Sequence, residues 1–120
     1  MVQDLKRLNE YRDCRVILKQ DEKVMQGGAL FLYEDPRMPQ ALADLAKTMR
    51  DTEKALIDKY SDVIDYIGAA IVDDFTVGTM MKLYYHDAEE WPQVAKKAGD
   101  GHTAEECRKM VYSYIREADV

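Results

Sequence analysis

The stretch TVGTMMKLYYHDAEEWPQVAKKAGDGHTAEECRKMVYSYIR, residues 76–116, decides how the rest of the chain is read. It divides into an apolar-striped helix over 77–85, a polar turn over 86–90, a short helix over 91–98, a glycine-rich turn over 99–102 and a last helix from Thr103 onward. In the middle segment Trp91, Val94, Ala95 and Ala98 share one face at helical spacing, and Lys96 and Lys97 fall outside it. Pro92 sits in the first turn, where its missing N–H costs nothing. Gly99 follows the last periodic residue, where a left-handed cap suits glycine. Thr103 with Glu106 has the pattern of a capping box, which marks where the last helix starts. Its inward face runs Cys107, Met110 or Val111, Tyr114 and Ile115. Two short helices joined by a turn bury little alone and need a preceding helix to pack on. The expected unit is therefore a three-helix helix-turn-helix, with its second helix as scaffold and its third as reader.

The run Leu83-x-Tyr85, Trp91-x-x-Val94-Ala95, Gly99-x-Gly101-x-Thr103-Ala104, Arg108-Lys109-x-Val111-Tyr112 resembles the C-terminal domain of small proteins of phages and prophages of Gram-positive bacteria. These look like the fourth region of sigma factors and include ArpU-like and RinA-like late-gene regulators. The resemblance covers roughly a third of the chain. It implies a helical N-terminal part followed by a helix-turn-helix that binds duplex DNA. Where that pattern favours Arg before the Tyr, Gly in the first turn and Leu-Ser before the Trp, this chain has Tyr84, Ala88 and Glu89-Glu90. Asp100 and His102 replace Gly and Asn in the second turn, and Glu105 and Glu106 add negative charge beside the reading face.

Composition sets the outer bounds. A chain of 120 residues with 47% apolar content suits one domain of ordinary size, with no sign of two independent cores. Its formal charge of −6 argues against a generally basic protein that coats nucleic acid. Residues 76–120 hold six Lys/Arg and eight Asp/Glu, so 6 − 8 leaves the helix-turn-helix itself near −2. DNA binding then depends on where the charges lie. Cys14 and Cys107 are far apart, with no metal spacing and no secretory signal before them, which points to a reduced, cytoplasmic protein. The longest apolar run, residues 67–72, is far short of the roughly 18 to 20 residues a membrane span needs.

Upstream, the charged, glycine-free stretch over about 2–25 reads as a helix with a narrow stripe (Leu5, Leu8, Tyr11, Val16, Ile17, Leu18), suited to a helical hairpin or coiled coil. Gly27-Gly28 breaks it, and residues 26–39 form a connection carrying the apolar run Ala29-Leu30-Phe31-Leu32-Tyr33. A long helix is expected over about 40–73. Its stripe (Leu42, Leu45, Met49, Leu56, Val63, Tyr66, Ala70) has one polar gap at Lys59 and widens toward the C-terminal end. Gly68 is a candidate for a close crossing or kink, and Asp74 or Thr76 for the cap of the next helix. The expected class is thus all-α: a helical arm over 1–75 and a helix-turn-helix over 76–120.

Site expectations follow from that frame. Arg108, Lys109 and Tyr112, near the start of the reading helix, with His102 and Thr103 in the turn before it, are the candidates for base and phosphate contacts. Lys96 and Lys97 are candidates for the sugar-phosphate backbone. For each the plain alternative is a solvated helix face, with Arg108 paired to Glu105 or Glu106. His86 and His102 lack a metal-ligand framework, and the tyrosines at helical spacing read as core. No nucleophile constellation, phosphate loop or dinucleotide fingerprint is present, so neither catalysis nor a cofactor is expected. The leading expectation is a DNA-binding regulator that dimerises through its long helices or docks on RNA polymerase. A helical protein-interaction module on the same fold and a small terminase-like packaging component remain open beside it.

Overall fold

In the computed structural model the described backbone covers residues 5–29 and 36–118, and every regular element among these is helical. The elements are α1 (Leu5–Ala29), α2 (Met38–Lys59), α3 (Ser61–Asp73), α4 (Phe75–Met81) continuing into a π turn (Lys82–His86), α5 (Trp91–Ala98) and α6 (Ala104–Ala118).

The all-helical class holds, while several boundaries differ from expectation. α1 runs through Gly27 and Gly28 to Ala29 instead of stopping near residue 25. A glycine costs a helix interior only about 1 kcal/mol, and at Gly28 the missing side chain admits α2. A Cβ there would lie 2.9 Å from Leu42 Cδ2. α2 begins at Met38 with Pro39 in its first turn. Beyond Ala29, the apolar run 30–33 lies outside the described residues.

The single long helix expected over 40–73 is two helices. Tyr60, with φ −116° and ψ 28°, caps α2 and begins α3. Its side chain is buried, with its ring 5.6 Å from that of Tyr11 and the Arg7 guanidinium 4.8 Å above it. The break re-aims the apolar face of Val63, Ile67 and Ala70, all buried, onto α4.

α3 and α4 form a tight helical hairpin. Asp74 is extended between them, and its carboxylate accepts from Val77 N at 3.2 Å, so of the two candidates Asp74, not Thr76, is the cap. The close crossing depends on Gly78 rather than Gly68: a Cβ on Gly78 would sit 2.4 Å from Ile71 N and Cα, whereas one on Gly68 would meet nothing within 4 Å. Gly99 is right-handed at φ −75°, and the left-handed residues of the second turn are Asp100 (φ 49°) and Gly101 (φ 91°). In the first turn Ala88 takes φ 56°.

One apolar cluster joins the two ends of the chain. Leu8, Tyr11 and Leu18 of α1 and Leu56 of α2 belong to the same core as Met80, Met81, Tyr85, Val94, Cys107, Val111 and Ile115. The outer part of α2 has no fully buried residue before Leu56; its half-buried apolar side chains there are Met38, Leu42, Leu45, Ala46 and Met49. That end of the α1–α2 pair is a two-helix layer, and the other end is packed from several sides.

Candidate nucleic-acid interface

The C-terminal unit is built around the π turn. Asp87 N bonds Lys82 O at 3.0 Å and Glu89 N bonds Leu83 O at 3.0 Å, so the helix widens by one residue as it ends. Widening leaves its last carbonyls without helical partners. Three cations of α1, spaced to fall along one side of that helix, satisfy them. Arg12 donates from Nε to Tyr84 O (3.1 Å) and from a terminal nitrogen to Glu89 O (3.3 Å). Arg15 Nε donates to His86 O (2.8 Å), and Lys19 Nζ reaches Asp87 O at 3.3 Å. Positive groups at a helix C-terminus also complement its dipole. These three residues carry no role in the sequence-based reading. Their spacing, Arg12-x-x-Arg15-x-x-x-Lys19, is legible as a basic stripe, but nothing in it names carbonyls more than sixty residues away as the acceptors.

His86 lies under this clamp. Its Nδ1 is 2.7 Å from the Tyr11 hydroxyl, and burial, together with Arg15, holds its pKa below the usual histidine range. A neutral ring protonated on Nε2 accepts a hydrogen bond from the Tyr11 hydroxyl, and one protonated on Nδ1 donates to it. Burial likewise raises the Tyr11 phenol.

An aromatic stack ties α1, α5 and α6 together. The Arg12 guanidinium covers Tyr84 at 4.1 Å, Tyr84 stacks on Trp91 at 4.1 Å between centroids, and Trp91 meets the edge of Tyr112 at 6.3 Å. Arg108 lies 5.3 Å over the Tyr112 ring. Tyr112 is therefore half-buried framework, with its contacts largely spent inside the molecule.

The capping box forms as the sequence implies: Thr103 N donates to Glu106 Oε1 at 2.9 Å and Glu106 N to Thr103 Oγ1 at 3.2 Å. His102 Nδ1 is 3.7 Å from the second Glu106 oxygen. Buried Cys107, Val111 and Ile115 seat α6 on Val94 and the α4 core. The exposed side of α6 carries Glu105, Lys109, Ser113 and Arg116.

The candidate cations divide into two groups. Arg108 is held by Glu105 through Nε (3.1 Å) and a terminal nitrogen (2.5 Å), which raises the guanidinium pKa and lowers that of the carboxyl. Lys97 is held by Glu89 at 2.6 Å, and that bond lowers the Glu89 pKa. Lys96 and Lys109 are exposed and make no ion pair among the described residues. Lys109 borders an open groove with Val77, Met110 and Tyr114, beside Asp74 and Glu117.

No three His, Cys, Asp or Glu side chains converge in a metal-like group among the described residues, and none of the described helices is long and apolar enough to cross a membrane. Comparison of the chain with protein-family models, with curated proteins and with solved structures gives no match.

Proposed function

We propose that this chain is a non-enzymatic, duplex-DNA-binding regulator of the phage or prophage type, with α4 and its π turn, α5 and α6 as a sigma region 4-like helix-turn-helix. The observation that carries the reading is the capped, outward-facing start of α6, seated on α5 by buried Val94, Cys107 and Val111 while its far side stays in solvent. A helix presented in this way has the geometry by which such units enter the major groove. Lys96 and Lys109, both exposed and unpaired within the described chain, are the first cations available to phosphates. Arg108 becomes available to a guanine edge when DNA displaces Glu105, since bidentate guanidinium contact with guanine competes with an exposed ion pair worth little. His102 and Thr103 stand at the turn that approaches the groove. The N-terminal helices serve as the arm that holds this unit, and docking on RNA polymerase is compatible with them. The free thiols Cys14 and Cys107 suit a reducing cytoplasm.

Charge reversal at the two free lysines tests this directly. Lys96→Glu with Lys109→Glu should abolish binding to random-sequence duplex at low salt while leaving the thermal midpoint in place, because both side chains are exposed. Retained affinity would remove these residues from the interface.

A second reading, a protein-interaction module on the same three helices, has its own observation. Glu89 and Glu105 already neutralise Lys97 and Arg108, so half of the candidate cations are occupied inside the molecule. If the purified protein ignores DNA at low salt, this reading replaces the first.

A further inference from the structure

Two lysines on different helices converge on the carboxylate of Glu89. Its Oε1 accepts from Lys97 Nζ of α5 at 2.6 Å, and its Oε2 lies 3.7 Å from Lys19 Nζ of α1. The first is a short charge-assisted hydrogen bond; the second is an ion pair too long to be one. The turn itself positions Lys19, whose Nζ is 3.3 Å from Asp87 O and 3.5 Å from Ala88 O. An ammonium has three donors, so one is left after the two carbonyls, and the carboxylate falls short of it. The Glu89 backbone is pinned as well, its N–H bonded to Leu83 O and its carbonyl to Arg12. Lys19 and Lys97 keep 37% and 50% of their side chains exposed against 19% for Glu89, so the pair faces water over the acid it holds. The cluster sits two residues before α5 begins, where the helix N-terminus adds its own preference for an anion.

We propose that Lys19 and Lys97 together form a phosphodiester-binding site of the DNA interface, occupied in the free protein by the Glu89 carboxylate. The proposal rests on the DNA-binding reading of α5 and α6, and it brings α1 into the same interface. A phosphodiester carries the single negative charge of the carboxylate but spreads its two free oxygens more widely, so it accepts from Lys97 and from the remaining donor of Lys19 together. The location suits that role. In a helix-turn-helix the first of the two helices crosses the sugar-phosphate backbone, and helix N-termini take part in such contacts. An open pocket of about 170 Å³ adjoins Lys19 and Glu89 and leaves room for the incoming group. Of the other acids at this pocket, Asp87 is paired with Lys82, and Glu22 is exposed and free to turn away. Glu89 is thus a built-in competitor, and the chain binds DNA more weakly than its lysines allow. Glu90, the next residue, holds Arg12 instead, whose guanidinium is already committed to Tyr84 O, Glu89 O and the Tyr84 ring.

A double-mutant cycle on the binding of the full chain to random-sequence duplex DNA, read by fluorescence anisotropy across a salt series, tests the site. Glu89→Gln keeps the shape of the side chain and removes its charge. It should tighten binding about tenfold at about 50 mM salt and steepen the slope of log affinity against log salt by about 0.9 to 1.8, one or two added phosphate contacts. Lys19→Gln keeps an amide donor for the turn. It should shift wild-type affinity by less than about twofold, because Glu89 already neutralises that lysine, yet reverse at least about threefold of the gain in the Glu89→Gln chain. Lys97→Gln should reverse the gain in the same way, which keeps the test intact if Lys19→Gln loosens the turn. Glu90→Gln makes the same change in net charge one residue away and frees no lysine, so the slope should stay as it is. Wild-type binding with no gain from Glu89→Gln, an equal gain from Glu90→Gln, or lysine effects of one size in both backgrounds would overturn the site and leave the DNA reading standing. If neither wild type nor Glu89→Gln binds at the lowest salt, the DNA reading fails and the site with it.

Discussion

Tyr85 is completely buried, and its hydroxyl has no hydrogen-bond partner among the described residues. Burying a hydroxyl unpaired costs on the order of 1–3 kcal/mol, so Tyr85→Phe should be neutral or stabilise the fold by about 1 kcal/mol in urea denaturation. A clear loss of stability would mean that the hydroxyl is bonded after all. His86 gives a prediction with a sign. Its folded pKa lies below the unfolded value because burial and Arg15 oppose the charged ring, with Asp87 pulling the other way. Between the two pKa values the unfolded chain binds more protons, so the contribution of His86 is present above the unfolded value near 6.5 and is lost as pH falls below it. His86→Gln keeps an acceptor near Tyr11 and should flatten the fall of the thermal midpoint between about pH 7.5 and 5.5; parallel curves for the two proteins would contradict this. At this scale the sequence was informative wherever a rule is local. Thr103 with Glu106 follows from spacing alone, and spacing narrows the cap of α4 to Asp74 or Thr76, of which Asp74 forms it. The pairing of His86 with Tyr11 spans 75 residues and depends on how α1 docks, which no local rule contains.

Elements show where local reading fails and why. Gly27-Gly28 reads as a break, yet α1 continues, because tertiary contact with Leu42 outweighs a small propensity cost. The long stripe over 40–73 reads as one helix, yet it turns at Tyr60, because an unbroken rod cannot place Leu56 against α1 and also aim Val63 and Ile67 at α4. Gly78 is the glycine that the hairpin requires. Gly78→Ala gains helix propensity but drives a methyl into the backbone of Ile71, and should cost about 2 kcal/mol or more overall. The clamp of α1 on the π turn gives a contrast between cations. Arg15→Met retains the aliphatic stem but strips His86 O of its donor, and should cost about 2 kcal/mol. Arg108→Ala breaks an exposed pair with Glu105 and should leave the thermal midpoint nearly unchanged. Equal losses at the two sites would mean that the clamp is no stronger than a surface contact.

For the whole molecule, the arm and the C-terminal unit share one core, which sets limits on how the protein works. Leu8, Tyr11 and Leu18 pack into the cluster that holds Tyr85, Val94 and Val111, so α1 buttresses the proposed reading unit directly. Legibility here was uneven. The order of helices and the inward faces of α5 and α6 follow from periodicity, because 3.6-residue spacing marks the buried side without help from the rest of the fold. The electrostatics did not follow, because whether a lysine is free depends on where glutamates from other segments arrive. Lys97 meets Glu89 from the first turn, whereas Lys96, beside it in sequence, makes no ion pair among the described residues. An overall charge of −6 therefore neither grants nor denies DNA binding; under the proposal the exposed cations without an ion pair among the described residues, Lys96 and Lys109, are the first that matter.

The most direct test is fluorescence anisotropy of the full chain with random-sequence duplex DNA, followed from about 20 to 200 mM salt. A protein that neutralises a few phosphates with Lys96, Lys109 and neighbouring cations should bind at micromolar concentration or better at the low end. Its log affinity should then fall against log salt with a slope of about −0.9 for each phosphate contacted. No binding at the lowest salt, or binding indifferent to salt, would contradict the proposal that this chain is a DNA-binding protein.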